Sequence, residues 1–478
     1  MEISAFLTAA AVFFVILGVI WSVVSVVKLR KKYPETLWDW SKIDISDLSF
    51  PKDFIWGTAT AAHQVEGHNT NNNWSRWEES FDKKGRPRIQ NGDKSGRAAD
   101  HYNLYRDDIA RMKEELGVGS YRFSLEWSRI EPEPGKYDQN EIKHYHGMFD
   151  ALLEAGIEPM PTLHHFTHPI WFDDLGSFEH EKNLEHFFRF SELCFKEYGG
   201  KAKYWCTHNE PGPFATMGWA LGVFPPGVKN YKRLGQVLHN LMRSHLGVYQ
   251  RIKALPGGNE AQVGLVKNMF QFDPYRRWSP LHWLICRISD GIYNESILGF
   301  LRDGVFRYHF PGISKIYQEH PEAKGATDFI GLNYYSNLLI SPLAKQEPPF
   351  KPLIREGQVL TDMPYATYPE GFYRALTKLK ELERPIIVTE NGVPDAKDDF
   401  IREDYIRRYL YAMSEAIKDG ADVRGFYYWT LMDNFEWAFG NSMKFGLYEV
   451  NPETMERRLR NGSKAFVEII AQHKKDHE

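Results

Sequence analysis

The chain has 478 residues, of which 42% are hydrophobic and 26% are charged, enough for one large core or two ordinary ones. Its formal net charge of −4 gives the fold as a whole no basic surface for nucleic acid. The three cysteines, Cys194, Cys206 and Cys286, have no CxxC spacing, which argues against a disulfide framework or a zinc site and indicates buried thiols.

The first element in chain order is an uncharged run of about 25 residues, residues 3–27. Roughly 20 apolar residues suffice to span a bilayer. Glu2 precedes the run, and the cations Lys28, Arg30, Lys31 and Lys32 follow it. A cleavable signal peptide, the alternative, has its positive charge before the run, so we expect residues 1–32 to be a retained single-span membrane anchor with a basic flank. The positive-inside rule then places the large domain in the cytoplasm.

After a polar tether, residues 33–49, short apolar runs alternate with amphipathic segments. The strand-like runs are residues 54–59, 120–125, 158–164, 204–207, 262–267, 329–333, 386–389 and 425–431. Helical periodicity is clearest in residues 107–116, 141–155, 184–198, 234–254, 370–382 and 402–418.

This alternation predicts parallel βα units in an α/β fold. Eight units in about 430 residues fit a single large (β/α)8 TIM barrel with long loops between strands and helices. A doubly wound open sheet is the competing interpretation, but no glycine-rich phosphate turn follows the first run. Residues 268–310 and 341–369 are expected to be loop insertions, not separate domains.

In such a barrel the active site forms at the carboxyl ends of the strands. The runs end on or near a common set of polar and aromatic side chains: Gln64, Arg122, His165, Asn209, Glu210, Asn333, Tyr335, Glu390 and Trp429. The sequence contains no Ser–His–Asp elbow and no HExxH motif. Two carboxylates among many neutral hydrogen-bonding groups indicate glycoside cleavage.

Seven blocks of sequence, in order, resemble glycoside hydrolase family one. THNEP (207–211) and VTENG (388–392) resemble the acid/base and nucleophile signatures of that family. The other blocks are FIWGTATAAHQVEG (54–67), YRFSLEWSRI (121–130), TLHHFTHP (162–169), FIGLNYYS (329–336) and YYWTLMDNFEW (427–437). The resemblance runs from about residue 50 to residue 463, so residues 50–478 are expected to be the catalytic barrel.

The resemblance implies a retaining glycosidase in which Glu210 is the general acid and then the general base, and Glu390 is the nucleophile. Retaining chemistry needs these carboxyl groups only ~5–5.5 Å apart. Arg122 and Tyr335 would keep Glu390 ionised, with Asn333 in the same catalytic set. The residues expected to bind substrate are Gln64, His165, Asn209, Trp429, Glu436, Trp437, Phe445 and Tyr365. No metal or organic cofactor is implied.

Two positions limit the sugar that the resemblance implies. Members acting on 6-phosphosugars carry Ser where this chain has Glu436 and Lys where it has Met443, and a carboxylate would repel phosphate. The expected substrates are therefore unphosphorylated β-glucosides, β-galactosides or β-fucosides. On the leaving-group side the family commonly has a Trp where this chain has Tyr365, whereas Phe445 is kept.

Three functions stay open at this point. A β-glycosidase acting on small glycosides comes first. A membrane-associated glycolipid glycosidase or transglycosylase is the alternative, because residues 274–287 combine arginines with Trp and Leu and have no family counterpart. A non-catalytic receptor or scaffold is disfavoured because Glu210 and Glu390 are both present. The residues expected to be structural are His63, His164, His168, Glu66 and Glu126. No oligomeric state is predicted.

Overall fold

The computed structural model describes residues 2–341, 353–355 and 357–478, with the backbone alone at residues 2–5, 7, 8, 25, 26, 29, 30 and 32. Its strands are β1 (Ile55–Ala59), β2 (Ser120–Ser124), β3 (Glu158–His164), β4 (Tyr204–Asn209), β5 (Gln262–Asn268), β6 (Gln271–Pro274), β7 (Val305–Phe310), β8 (Ser314–Glu319), β9 (Phe329–Asn333), β10 (Asn337–Ile340), β11 (Ile386–Asn391), β12 (Val423–Trp429), β13 (Tyr448–Val450) and β14 (Arg457–Leu459).

Along the chain, most of the helices lie between successive strands of the barrel. They are α1 (Glu2–Lys32), α2 (Ala62–Val65), α3 (Asn73–Glu78), α4 (His101–Arg111), α5 (Trp127–Ile130), α6 (Gln139–Glu154), α7 (Ile170–Asp174), α8 (Leu184–Tyr198), α9 (Pro211–Ala215), α10 (Tyr231–Ala254), α11 (Pro280–Asp290), α12 (Ser296–Asp303), α13 (Pro369–Leu379), α14 (Ile401–Lys418) and α15 (Lys464–His477). Short π-helical turns follow three of them: Met112–Leu116, Thr216–Leu221 and Gly291–Glu295.

The described residues form a closed barrel of eight parallel strands in the order β1-β12-β11-β9-β5-β4-β3-β2. Each strand pairs with the next barrel strand along the chain, and parallel neighbours need a long crossover, which the helices supply. The strands of such a barrel are covered on both faces, and every residue of β2 and β9 is accordingly buried. The predicted (β/α)8 barrel is confirmed, and each predicted run overlaps one of its strands.

Two irregularities in the strand pairing lie where the barrel reaches its carboxyl end. The register of β4 against β5 shifts between Cys206 and Asn209, and that of β11 against β9 shifts between Val388 and Glu390. Such irregularities redirect side chains next to active sites. Here they immediately precede Glu210 and include Glu390.

The insertion at residues 268–310 is built onto the barrel. Its strand β6 pairs in parallel with β10, while β7 forms an antiparallel pair with β8. Asp273 of β6 accepts a hydrogen bond at 3.0 Å from Arg374 of α13, and both side chains are mostly buried. These contacts attach the segment to the barrel, and its assignment as a loop insertion stays a prediction. Of the second predicted insertion, residues 342–352 and 356 lie outside the described residues.

The amino-terminal run forms helix α1, whose described large apolar side chains, such as Phe6, Phe14 and Val15, are exposed. When only the described residues are considered, no helix is both long and apolar enough to cross a membrane. The membrane anchor predicted for residues 3–27 stays a prediction.

Residues 33–49, predicted as a tether, lie against the barrel. The carboxylate of Glu35 is buried and accepts a hydrogen bond at 2.7 Å from Arg374 of α13. Trp40 Nε1 donates to Glu370 at 2.8 Å, and the ring of Trp38 packs edge-on against Tyr373 at 5.3 Å. This segment therefore joins α1 to the outer face of α13 through specific contacts.

Candidate active site

Glu210 and Glu390 lie at the carboxyl ends of β4 and β11, two strands that β5 and β9 separate in the barrel. Glu390 is the penultimate residue of β11, and Glu210 follows β4 directly and precedes α9. Glu210 has φ 46° and ψ 65°, a left-handed conformation that is costly for a residue other than glycine. Its N–H donates to the carbonyl of Val266 on β5 at 2.9 Å, which holds this conformation in place. Both carboxyl groups are buried.

The carboxylate of Glu390 is held by one charged and one neutral donor. Arg122 Nη1 donates to Oε1 at 2.7 Å, and the Tyr335 hydroxyl donates to Oε2 at 2.6 Å. Burial raises the pKa of Glu390, while the Arg122 charge and the Tyr335 hydrogen bond act against that rise. These partners favour the ionised form that a nucleophile needs.

Glu210 has a different environment. Its Oε1 accepts hydrogen bonds from the amides of Asn333 at 2.8 Å and Asn268 at 3.1 Å. Burial and the negative charge of Glu390 raise the pKa of Glu210 to about 8. The surroundings of the two carboxyl groups thus differ: the Arg122 cation favours the ionised form of Glu390, whereas Glu210 is suited to hold a proton near neutral pH.

A polar bridge connects the two carboxyl groups. Asn209 Oδ1 accepts from Arg122 Nη2 at 2.8 Å and from Asn333 Nδ2 at 3.1 Å. Asn209 Nδ2 lies 3.0 Å from Nε2 of His165. Burial holds the pKa of His165 well below its usual range. The bridge fixes Asn209 between the two catalytic candidates with a neutral imidazole beside it.

A second polar group faces the same cavity. Gln64 Nε2 donates to Glu436 Oε2 at 3.0 Å, and burial raises the pKa of Glu436 to about 8. The indole rings of Trp429 and Trp437 stack on His165 at 5.6 and 5.9 Å. Gln64 Oε1 and His165 Nδ1 are buried and have no hydrogen-bond partner among the described residues. Unpaired polar atoms beside indole faces suit a ligand rich in hydroxyl groups.

The cavity at this end of the barrel has a volume of about 300 Å³. The predicted site residues that line it are His165, Asn209, Glu210, Tyr335, Tyr365, Glu390, Trp429, Glu436, Trp437 and Phe445. Gln64, Arg122 and Asn333 lie behind them, hydrogen-bonded to lining residues. A larger cavity of about 1030 Å³ lies at the amino-terminal end of the strands, beside Phe54 and Val118, away from the face that carries catalysis in such barrels.

Sequence reasoning missed the outer part of the cavity. We call it the apolar vestibule, and its residues are Met217, Leu221, Val223, Phe224, Phe270, Leu338, Met363 and Phe439. It also missed Asn268, which donates to Glu210. Asn268 is the last residue of β5, one position past the predicted run, so the rule that strand ends carry the chemistry would have found it.

The residues predicted to be structural make structural contacts. Glu66 pairs with Arg129 at 2.9 Å. Glu126 caps α5 by accepting from the Ser128 N–H at 3.4 Å, and it also accepts from the Ser128 hydroxyl at 2.6 Å. His164 Nδ1 lies 3.3 Å from a ring nitrogen of His208. The two remaining histidines pair with carboxylates: His63 with Glu78 at 2.8 Å and His168 with Asp173 at 3.4 Å.

Tyr335→Phe is expected to lower kcat/KM at neutral pH by about 10- to 100-fold, because a hydrogen bond to a charged group contributes about 1.5–3 kcal/mol. The Tyr335 hydroxyl lowers the pKa of Glu390, so its removal raises that pKa and moves the acidic limb of the kcat/KM profile to higher pH. Rates measured from pH 4 upward, across roughly the range of carboxyl titration, test this.

Tyr334→Phe is the matched control for that variant. The Tyr334 side chain is fully buried, and its hydroxyl donates to the carbonyl of Tyr368 at 3.0 Å, outside the catalytic network. We expect this control to lower thermal stability and leave the acidic limb in place. An acidic limb that is the same in Tyr335→Phe and in the wild type would contradict the prediction.

Comparison with known proteins places the whole barrel in one family. Residues 46–475 match glycosyl hydrolase family 1. Beta-glucosidase A of Acetivibrio thermocellus is 33% identical over 453 residues, which cover 89% of this chain and 99% of the relative. The structure of a beta-glycosidase from Pyrococcus horikoshii is similar at a TM-score of 0.77 and 35% identity, covering 89% of this chain and 96% of that one. The family 1 b-glucosidase from Thermotoga maritima gives a TM-score of 0.80 at 28% identity, covering 89% and 99%.

Proposed function

The chain belongs to glycosyl hydrolase family 1 and is a glycoside hydrolase, and on that premise we propose that it is a retaining β-glycosidase. In this proposal Glu390 is the nucleophile and Glu210 is the general acid and base. The observation that carries it is the contrast between the two buried carboxyl groups: Glu390 is bonded to the Arg122 cation, and Glu210 is bonded only to amides.

In the first step a carboxylate oxygen of Glu390 bonds to the anomeric carbon as the bond from that carbon to the leaving oxygen breaks. Glu210 gives its proton to that oxygen, so the aglycone leaves as a neutral alcohol. In the second step Glu210, now ionised, takes a proton from water, and the resulting hydroxide displaces Glu390. Two inversions at the same carbon retain the β configuration.

The same contacts account for the timing of the protons. When Glu390 becomes an ester it loses its charge, and that charge is one cause of the raised pKa of Glu210. The pKa of Glu210 therefore falls in the intermediate, which lets the residue act as a base. Asn209, fixed by Arg122 and Asn333, is placed to bond the sugar 2-hydroxyl as positive charge develops at the anomeric carbon.

We propose unphosphorylated β-glucosides, β-galactosides or β-fucosides as the substrates. The buried pair Gln64 and Glu436 supports this, because the Glu436 carboxyl group accepts hydroxyl donors and, in its ionised form, repels phosphate. The relatives named beta-glucosidases also support it. The test is a panel of nitrophenyl β-glycosides, with the first-formed sugar anomer read by NMR. We expect turnover with the β anomer first. An α anomer first, or turnover of 6-phosphoglycosides alone, would contradict the proposal.

The apolar vestibule favours a second candidate function, cleavage or transfer of sugars on lipid-like aglycones. Among the described residues that line the cavity, the carboxylates are Glu210, Glu390 and Glu436, all accounted for by catalysis or sugar binding. The remaining wall offers hydrocarbon and aromatic surface, which suits an alkyl chain better than a second sugar. Helix α11 and the turn before it, with Trp278, Leu281 and Leu284 exposed, belong to the insertion that follows β5.

We further propose that residues 3–27 hold the enzyme at a membrane with the barrel in the cytoplasm. The uncharged run and the cations that follow it support this. Removal of residues 1–32 keeps the contacts of Glu35 and Trp40 with α13, so the barrel is expected to stay folded.

The truncated protein is expected to leave the membrane fraction and to cleave nitrophenyl glucoside at an unchanged rate. It should still cleave a glycolipid dispersed in detergent, because the vestibule is intact. A truncated enzyme that cleaves nitrophenyl glycosides and ignores glycolipid would contradict the lipid function. A full-length protein that stays in the soluble fraction would contradict the anchor.

A further inference from the structure

Lys267 is a buried cation that lies close to Glu210, the acid/base candidate. It has no part in catalysis or sugar binding as proposed. It is the penultimate residue of β5, and its side chain is fully buried. Its Nζ donates to Asn294 Oδ1 at 3.0 Å and to the carbonyl of Asn268, and it lies 4.4 Å from the ring centroid of Tyr293. No carboxylate of the described residues lies within ion-pair distance of this amine.

The groups that hold Lys267 also hold Glu210. The hydroxyl of Tyr293 donates to Asn268 Oδ1 at 2.8 Å, and Asn268 Nδ2 donates to Glu210 Oε1 at 3.1 Å. The amine therefore reaches the carboxyl group through two links, its bond to the Asn268 carbonyl and its contact with the Tyr293 ring. Movement of Lys267 would release the side chain that orients Glu210.

We propose that Lys267 is a positioning residue for Glu210, orienting its carboxyl group through Asn268 and using its buried charge to govern how readily Glu210 gives up its proton. This inference rests on the proposed function, in which Glu210 is the general acid and base. It adds a residue that touches neither the sugar nor the aglycone.

The cost of burying this amine favours such a role over a purely structural one. An unpaired ammonium group in a protein interior is expensive, and a methionine of similar length would fill the same space without that cost. Among the described residues, the two direct acceptors of the amine are the side-chain amide of Asn294 and the backbone carbonyl of Asn268, which satisfy hydrogen bonds without neutralising charge. The charge is therefore free to act on Glu210.

The charged neighbours make this coupling local. Burial lowers the pKa of Lys267, the negative charges of Glu210 and Asp290 act against that fall, and the positive charge of Lys267 in turn lowers the pKa of Glu210. The other titratable groups that face Lys267 are Asp290, Glu295, Lys378 and Tyr293. The titratable groups that face Glu210 are Glu390, Glu436, Tyr335 and Tyr365. Asp290 and Glu295 both pair with the Lys378 ammonium group, which weakens the effect of their charges on Lys267.

The test is the pH profile of kcat/KM for Lys267→Met. Loss of the positive charge raises the pKa of Glu210, so the basic limb is expected to move to higher pH. Turnover of a substrate with a poor leaving group should fall more than turnover of a dinitrophenyl glycoside, whose leaving group needs no proton. A purely structural lysine would change stability without moving this limb.

Lys267→Gln guards against a folding defect, because glutamine keeps polar contacts for Asn294 and the Asn268 carbonyl while removing the charge. It should show the same upward shift. Lys253→Met is the matched control: Lys253 pairs with Asp328 at 2.7 Å, away from the carboxyl ends of the strands, and its loss should leave the limb unmoved. Folded Lys267 variants whose basic limb coincides with that of the wild type would overturn the inference.

The role of Lys267 can fail in this experiment without contradicting the proposed function. Azide rescue of Glu210→Ala shows independently whether Glu210 is the acid and base. If rescue succeeds and both Lys267 variants keep the wild-type basic limb, only the role of Lys267 fails. If rescue fails, the proposed function fails first.

Discussion

Glu390→Gly is expected to abolish hydrolysis of every β-glycoside, lowering kcat by on the order of 10⁴-fold or more. The variant has no group that can form the covalent intermediate, and the remaining bonds of Arg122 to Asn209 and the Thr389 carbonyl position no nucleophile. Initial rates on nitrophenyl β-glucoside, compared with the wild type at the same pH, measure the loss.

Two further measurements make that result specific. Glu390→Gln keeps the volume of the side chain and an oxygen that can accept from Arg122, so it should be as inactive as the glycine variant but lose less stability. Azide can enter the space left in Glu390→Gly and attack the anomeric carbon once, which gives an α-glycosyl azide. Retained activity, or a β-glycosyl azide from this variant, would show that Glu390 is not the nucleophile.

The barrel could be predicted because its signal is local. Each strand is a short apolar run followed by polar residues, and each run lies between helical segments, so neither pattern depends on distant contacts. The ends of β3 and β9 agree with the predicted runs to the residue. The candidate site followed from the same logic, because the fold brings the carboxyl ends of all strands to one face.

What could not be predicted depends on contacts between distant residues. Helix α4 begins at His101, six residues before the predicted start, in a stretch where apolar periodicity is weak. Glu35 is held against the barrel by a hydrogen bond from Arg374, which lies more than 300 positions away along the chain. No local sequence pattern predicts such a pair. In the sequence, Lys267 is the last residue of an apolar run and carries no sign of burial. Only its contacts with Tyr293 and Asn294 in the structure show that the cation is buried.

The second large effect concerns Glu210. Glu210→Ala is expected to slow hydrolysis by about 10²- to 10⁴-fold for substrates with poor leaving groups, and far less for dinitrophenyl glycosides. A poor leaving group departs only as it gains a proton, whereas a good one departs as an anion. The basic limb of the kcat/KM profile should disappear as well. Burial and the charge of Glu390 raise the pKa of Glu210 to about 8, and this titrating group is missing from the variant. Rates across a series of aryl glucosides at several pH values test both expectations.

The stereochemistry of azide rescue then separates the two carboxyl groups. In Glu210→Ala, Glu390 still forms the intermediate, and azide in the space left by Glu210 attacks it from the opposite face, so two inversions give a β-glycosyl azide. Glu210→Gln keeps acceptors for Asn333 and Asn268 and fills that space, so it should be equally slow and resist rescue. An α-glycosyl azide from Glu210→Ala would mean that this residue, and not Glu390, is the nucleophile, because only one inversion would then have occurred.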